Sequence, residues 1–126
     1  MAMKTECLGN YVRVNDKLYP CTTSLVMDLI GGKWKASILY HLQESEKRYN
    51  ELRKEMPSVT EMTLSLQLKQ LEKDGLVSRK VYGQKPPVKV IYKLTDFGKR
   101  FIPVLEAITA CGNQIVVEKG EFIANP

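Results

Sequence analysis

The stretch MTLSLQLKQLEKDGLVSRK, residues 62–80, limits what this chain can fold into more than any other segment. It opens with apolar residues at every second position, Met62, Leu64, Leu66 and Leu68, as a half-buried strand would. The alternation fails at Lys69-Gln70-Leu71, whereas a helical pattern continues through it. At roughly 100° per residue, Leu64, Leu68 and Leu71 fall within about 60° of one another, and Met62 and Leu66 lie on the opposite side. No residue from Leu64 to Leu76 is β-branched, and Leu, Gln, Lys and Glu lose little side-chain freedom in a helix. Thr60 is placed to cap the N-terminus, Glu61 complements the dipole there, and Asp74-Gly75-Leu76 has the form of a glycine C-cap followed by its hydrophobic contact. The stretch is therefore a helix, with leucines for a core on one side and something other than plain water expected on the other.

The outward side presents Thr60, Thr63, Ser65, Gln67, Lys69 and Gln70 around Leu66. Such a set suits base readout in a DNA major groove. Gln can pair bidentately with adenine, Ser and Thr adapt to either partner, Lys reaches guanine or phosphate, and Leu66 can meet a thymine methyl. A solvated face with stray apolar residues has the same composition. The segment C-terminal to the helix shifts the balance toward readout: LVSRKVY and VKVIYKLT are strand-like runs joined by the turn signal GQKPP, and Arg79, Lys80, Lys85, Lys89 and Lys93 punctuate them, the alternative being lysines that only keep an edge strand from aggregating. Upstream, Leu25, Val26, Leu29 and Ile30 give a helix over 22–30 stopped by Gly31-Gly32. Trp34, Ile38, Leu39 and Leu42 give a second over 33–42, and Tyr49, Leu52 and Met56 a third ending at Pro57. Three helices, a polar-faced helix and a basic hairpin, in that order, describe a winged helix-turn-helix: mainly α with a small β-hairpin wing (α+β).

Thr95 reads as the cap of a C-terminal helix along which Phe97, Phe101, Leu105, Ile108 and Ile115 keep a helical spacing, with Pro103 kinking it or starting it afresh. One small winged-helix domain cannot cover so long a stripe, so a symmetric dimer through this helix is expected, completed by an N-terminal arm in which YVRVNDKLYP turns at Asn15-Asp16. The alternative is a helix folded back on its own core. The divisions are an arm at 1–20, the winged helix-turn-helix at 21–95, a dimerisation helix at 96–118 and a tail at 119–126. With 19 Lys+Arg against 14 Asp+Glu, the net charge of +5 favours an anionic partner, here double-stranded DNA. No run approaches the ~18 consecutive apolar residues of a membrane span, so no membrane partner and a cytoplasmic location are expected.

Catalysis and cofactors find no support in the residues. His41 has no nucleophile or acid at a defined spacing and reads as a buried or snorkelling core residue; Glu44, Glu46, Glu51, Glu55, Glu72 and Asp74 are interleaved with Lys and Arg as on solvated helices. Cys7, Cys21 and Cys111 lack metal-ligand spacing, and an odd count makes a poor disulfide framework, so no metal, no cofactor and reduced thiols are expected. No residue pattern specifies a small-molecule effector.

The succession CTTSLVMDLIGGKWKASILYHL, RYNELRKEMPSVTEMTLSLQLKQLEKDGLVSRKVY and YKLTDFGKRFIPVLEAI, running from Cys21 to Ile108, resembles the HxlR-type winged-helix regulators of bacteria, relatives of the MarR group. The resemblance implies a homodimeric, sequence-specific transcriptional regulator that binds an inverted repeat. It implies that Lys33 and Trp34 begin the second helix, that Arg48 approaches the DNA backbone, and that residues 60–70 enter the groove. Met62 stands where the family often has a basic residue, Thr22 where a proline often follows the cysteine, and Pro87-Val88 where two prolines are frequent. A winged-helix interaction domain without base readout is the alternative. Cys21, at the start of the first helix, has two readings: a thiol activated by the helix N-terminus, or a small apolar residue packed there. Family members responding to oxidants or electrophiles through the matching cysteine imply the first, with Cys111 as candidate partner across the dimer and Cys7 as second choice.

Overall fold

The computed structural model describes residues 11–124; Cys7 and the start of the arm lie outside them. The chain opens with a hairpin, β1 (Val12–Val14) and β2 (Lys17–Tyr19), whose two turn residues Asn15 and Asp16 sit at φ 50° and 64°, the left-handed pair that a tight hairpin turn needs. Asp28 of helix α1 (Thr22–Ile30) pins this hairpin, accepting from Lys17 Nζ at 3.0 Å and Tyr19 Oη at 2.8 Å.

Helix α2 spans Lys35–Leu42, so Lys33 and Trp34 precede the second helix and do not begin it. Gly32 at φ +91° turns the chain out of helical geometry, and Trp34 becomes the N-cap residue, packed against the core with Lys33 Nζ 5.1 Å from its ring centre. A two-residue strand, β3 (Lys47–Arg48), leads into α3 (Tyr49–Glu55); α4 spans Glu61–Lys73; and the hairpin β4 (Val77–Tyr82) and β5 (Lys89–Leu94) comes next. The sheet order is β3-β5-β4, all antiparallel, so the wing carries a third strand that the sequence pattern did not announce.

Leu64, Leu68 and Leu71 of α4 pack with Ile38, Leu39, Leu52, Leu76 and Val77 in one core, the stripe that the wheel geometry requires. The C-terminus of α4 is closed by two backbone bonds, Leu76 N to Leu71 O at 3.0 Å and Gly75 N to Glu72 O at 3.1 Å, with Gly75 at φ +83°. These bonds form the paired closure that glycine permits at this position.

The C-terminal segment is two helices. Thr95 caps α5 (Asp96–Lys99) by accepting from Gly98 N at 2.9 Å, and the chain then turns at Arg100-Phe101 before α6 (Ile102–Lys119), which has Pro103 in its first turn. Gly98 lies so close to the strand that an added Cβ would stand 2.1 Å from Leu76 O, which accounts for a glycine three residues after the capping threonine. Phe101 and Leu105 are 7% and 2% exposed and belong to the core of this same chain. This corrects their assignment to a dimer seam: the turn at 100–101 rotates α6 so that its first turns lie on the domain. Phe97, Ile108 and Ile115 remain on the surface. Residues 96–119 include a stretch long and apolar enough for a membrane span by length and composition alone, but the segment is broken at 100–101 and anchored in the core at its N-terminal end.

Candidate nucleic-acid interface

Helix α4 is held rigidly from beneath and left open above. Met62 is 83% and Leu66 52% exposed, and Ser65, Lys69 and Gln70 share the open side; Thr63 and Gln67 lie half-buried along one flank. Several of the polar side chains are already engaged. Thr60 Oγ1 accepts from Thr63 N at 3.1 Å and donates to Thr63 Oγ1 at 2.9 Å, as an N-cap should. Tyr49 Oη donates to Glu61 O at 3.3 Å and lies 3.2 Å from Ser65 Oγ, bracing the first turns of α4 against α3. Arg53 ties the connecting turn, donating from Nη1 to Val59 O and standing 3.9 Å from Glu61 through Nε. Sequence reasoning missed this bracing because Tyr49 and Arg53 look like ordinary amphipathic-helix residues; only their distance from α4 in space reveals it.

The sheet beside α4 has a core face and an outer face. Register places Val77, Tyr92, Leu94 and Val90 inward, and Arg48, Lys80, Tyr82, Lys89 and Lys93 outward, with Arg48 and Lys80 both cross-strand neighbours of Ile91. Lys80 and Lys89 bring their ammonium groups to 5.3 and 5.9 Å from the Tyr82 ring. Arg79 is exposed but shares the face of Val77 and Tyr92, so the expected wing set Arg79, Lys85 and Lys89 is divided: Lys85 at the exposed tip, Lys89 on the outer face, Arg79 on the other. Lys33 is exposed in the turn before α2.

Beneath the wing, Glu55 joins three elements, accepting from His41 Nδ1 at 2.8 Å and Lys47 Nζ at 3.1 Å. Burial alone would raise its pKa, but the hydrogen bonds from Lys47 and His41 and the nearby Lys47 ammonium outweigh it and hold the carboxyl below its ordinary value. His41 is thus a partly buried residue whose ring reaches out to the Glu55 carboxylate, the snorkelling form of the expectation. Asp28 is likewise lowered, first by its hydrogen bond from Lys17, then by that from Tyr19. At the other end, Gln70 and Lys73 of α4 help line a cavity of about 590 Å³ between the arm, α1 and α5.

Cys21 is the N-cap residue of α1, buried at 2% exposure, with Sγ 3.3 Å from Ser24 Oγ; Cys111 is exposed on α6. Among the described residues no three His, Cys, Asp or Glu side chains cluster as metal ligands.

Residues 29–119 match the family model described as HxlR-like helix-turn-helix. The chain is 49% identical over 108 residues to the HTH-type transcriptional regulator BH0655 of Halalkalibacterium halodurans, covering 85% of this chain and 91% of that one. It is 48% identical over 91 residues to YdeP of Bacillus subtilis, covering 72% and 70%. Among solved structures, the redox regulator HypR in its oxidized form superposes with a TM-score of 0.70 at 44% identity, covering 75% of this chain and 96% of that one. Reduced YodB from B. subtilis gives a TM-score of 0.64 at 32% identity, covering 75% and 92%.

Proposed function

Because this chain belongs to the HxlR-like helix-turn-helix family of transcriptional regulators, we propose that it acts in the cytoplasm as a homodimer that binds an inverted-repeat DNA site sequence-specifically. In this reading α4 enters the major groove and the wing tracks the backbone. One observation carries it: a helix fastened to the core by three leucines projects Met62, Leu66, Lys69 and Gln70 outward beside a sheet face bearing Arg48, Lys80, Lys89 and Lys93. The helix supplies groups for base edges, and the sheet supplies cations for phosphates. Gln67 and Gln70 are the amide readers; Lys33, Arg48, Lys85 and Lys89 hold the backbone; and the exposed Ile108 and Ile115 of α6 meet the second copy. A two-fold dimer places its two recognition helices in successive major grooves, about one helical turn apart.

The same reading assigns Cys21 a response to oxidants or electrophiles. It sits at the positive end of α1, and the relatives HypR and YodB have structures described as oxidized and as diamide-treated or quinone-bound. In the expected reaction, Cys21 and Cys111 of the second protomer each give up one proton and one electron, forming an S–S bond while diamide is reduced to the hydrazine.

The test is selection from a random-sequence duplex pool, followed by fluorescence titration of the selected duplex and a shuffled one at fixed salt. Discrimination of ~10³-fold or more is expected. Equal affinity for both would leave a basic interaction domain without base readout. In a second arm, diamide is expected to produce a covalent dimer on non-reducing gels and to change binding of the selected duplex, both lost in Cys21→Ser. A persistently monomeric band with unaltered binding would remove the redox assignment and leave the DNA reading intact.

A further inference from the structure

We propose that Met62 and Leu66 read the C5-methyl groups of thymines, so that the bound half-site carries thymines at the positions facing the N-terminal half of α4. The inference rests on the reading of α4 as the groove-entering helix and names what that helix recognises.

The two side chains are the only large apolar groups exposed on α4 among the described residues. They stand four residues apart on the side opposite Leu64 and Leu68, which makes one outward ridge about 6 Å long, and that length spans about two base steps. The ridge lies in the first two turns, the part of a recognition helix that reaches base edges.

Most polar residues in those same turns are occupied, and Gln67 lies half-buried along one flank, off the outward ridge. Thr60 donates to Thr63 and caps the helix, and Ser65 is linked to the Tyr49 hydroxyl. Glu61 sits beside Arg53, and the uncommitted Lys69, Gln70 and Lys73 lie further along the helix. Discrimination along the outward ridge of the N-terminal half therefore falls to shape and apolar contact, with Gln67 reading from the flank. The one bulky apolar group on the major-groove floor of a duplex is the thymine methyl; the other groups presented there are donors, acceptors or bare C–H edges such as cytosine C5–H. An apolar protein partner would suit Met62 and Leu66 too. It would not suit their surroundings on the helix, where Lys69 and Lys73 follow on the same side and complement a polyanion.

The experiment uses deoxyuridine, which keeps every hydrogen-bonding group of thymidine and lacks only the methyl. In the selected duplex, thymines are replaced by deoxyuridine one at a time and the full-length protein is titrated. Binding is expected to weaken about fourfold at each contacted position, the loss that corresponds to removing one buried methyl. Met62→Ala and Leu66→Ala should bind the thymidine duplex more weakly and should each become indifferent to deoxyuridine at one of those positions. Both residues are exposed, so circular dichroism should show the fold unchanged. If the wild-type protein discriminates selected from shuffled duplex yet ignores every deoxyuridine replacement, the inference is overturned and the DNA reading stands. Unchanged binding of the selected duplex by both variants would also overturn it and return the ridge to a protein partner. If selection enriches nothing, the underlying reading itself fails.

Discussion

Helices α4 and α6 both leave apolar side chains in the open, but in different company. In α4 three leucines are buried and two apolar residues protrude between Ser65, Lys69 and Gln70. In α6 only Leu105 is fully buried, while Ile108, Ile115 and Val117 protrude, and no charged residue occurs between Glu106 and Glu118. Exposed apolar surface mixed with cations suits a polyanion that also offers methyl groups. Exposed apolar surface free of charge suits an equally uncharged surface, and a second copy of α6 offers one without desolvating any charge. One fold thus presents two sticky helices, and the residues between the apolar ones separate their partners.

The contrast between a buried and an open side of α4 breaks most visibly at Leu68. Leu68→Ala should cost about 2–5 kcal/mol in denaturant unfolding, because it leaves a cavity in the core. Leu66→Ala, two residues away on the outer side, should change stability by no more than about 0.5 kcal/mol. Similar losses for the two would mean that α4 has no free face. Next, Ile108→Asp should shift the protein toward monomer in sedimentation experiments. Each lost isoleucine contact is worth roughly 1.5–3 kcal/mol and is lost on both protomers. An unchanged dimer would place the contact elsewhere and remove the contrast with α4.

The smallest expected effect concerns pH. The Glu55 carboxyl has its folded pKa lowered, so its contribution is present above the unfolded value and is lost as pH falls through the folded one. Glu55→Gln should therefore flatten the acid-side decline in melting temperature below the ordinary carboxylate range. A steeper decline in the variant would reverse the sign and refute the assignment. Because this side chain is over a third exposed, the effect is expected to be slight.

Much of α4 was legible in the sequence because its determinants are local. The three-leucine stripe, the Thr60 cap, the Gly75 closure and the turn into a basic hairpin are each encoded within a few residues. Strand β3 was not legible: Lys47-Arg48 has no apolar alternation, and it becomes a strand only because β5 offers an edge more than 40 positions away in the chain. The division of the C-terminal stripe was half legible. Pro103 announced a break, but only the packing of the first turns of α6 on the domain decided that Phe101 and Leu105 are covered while Ile108 and Ile115, further along the same stripe, stay exposed.

By itself, the order of residues determined which elements form and which side of each is apolar, since propensity, capping and periodicity act over one or two turns. Tertiary structure alone decided which polar side chains of α4 are spent on Tyr49 or on the cap, which lysines share the outer face of the wing, and which apolar residues of the last helix remain unmet. Those outcomes depend on contacts between segments distant in the chain, and no local pattern encodes such distances.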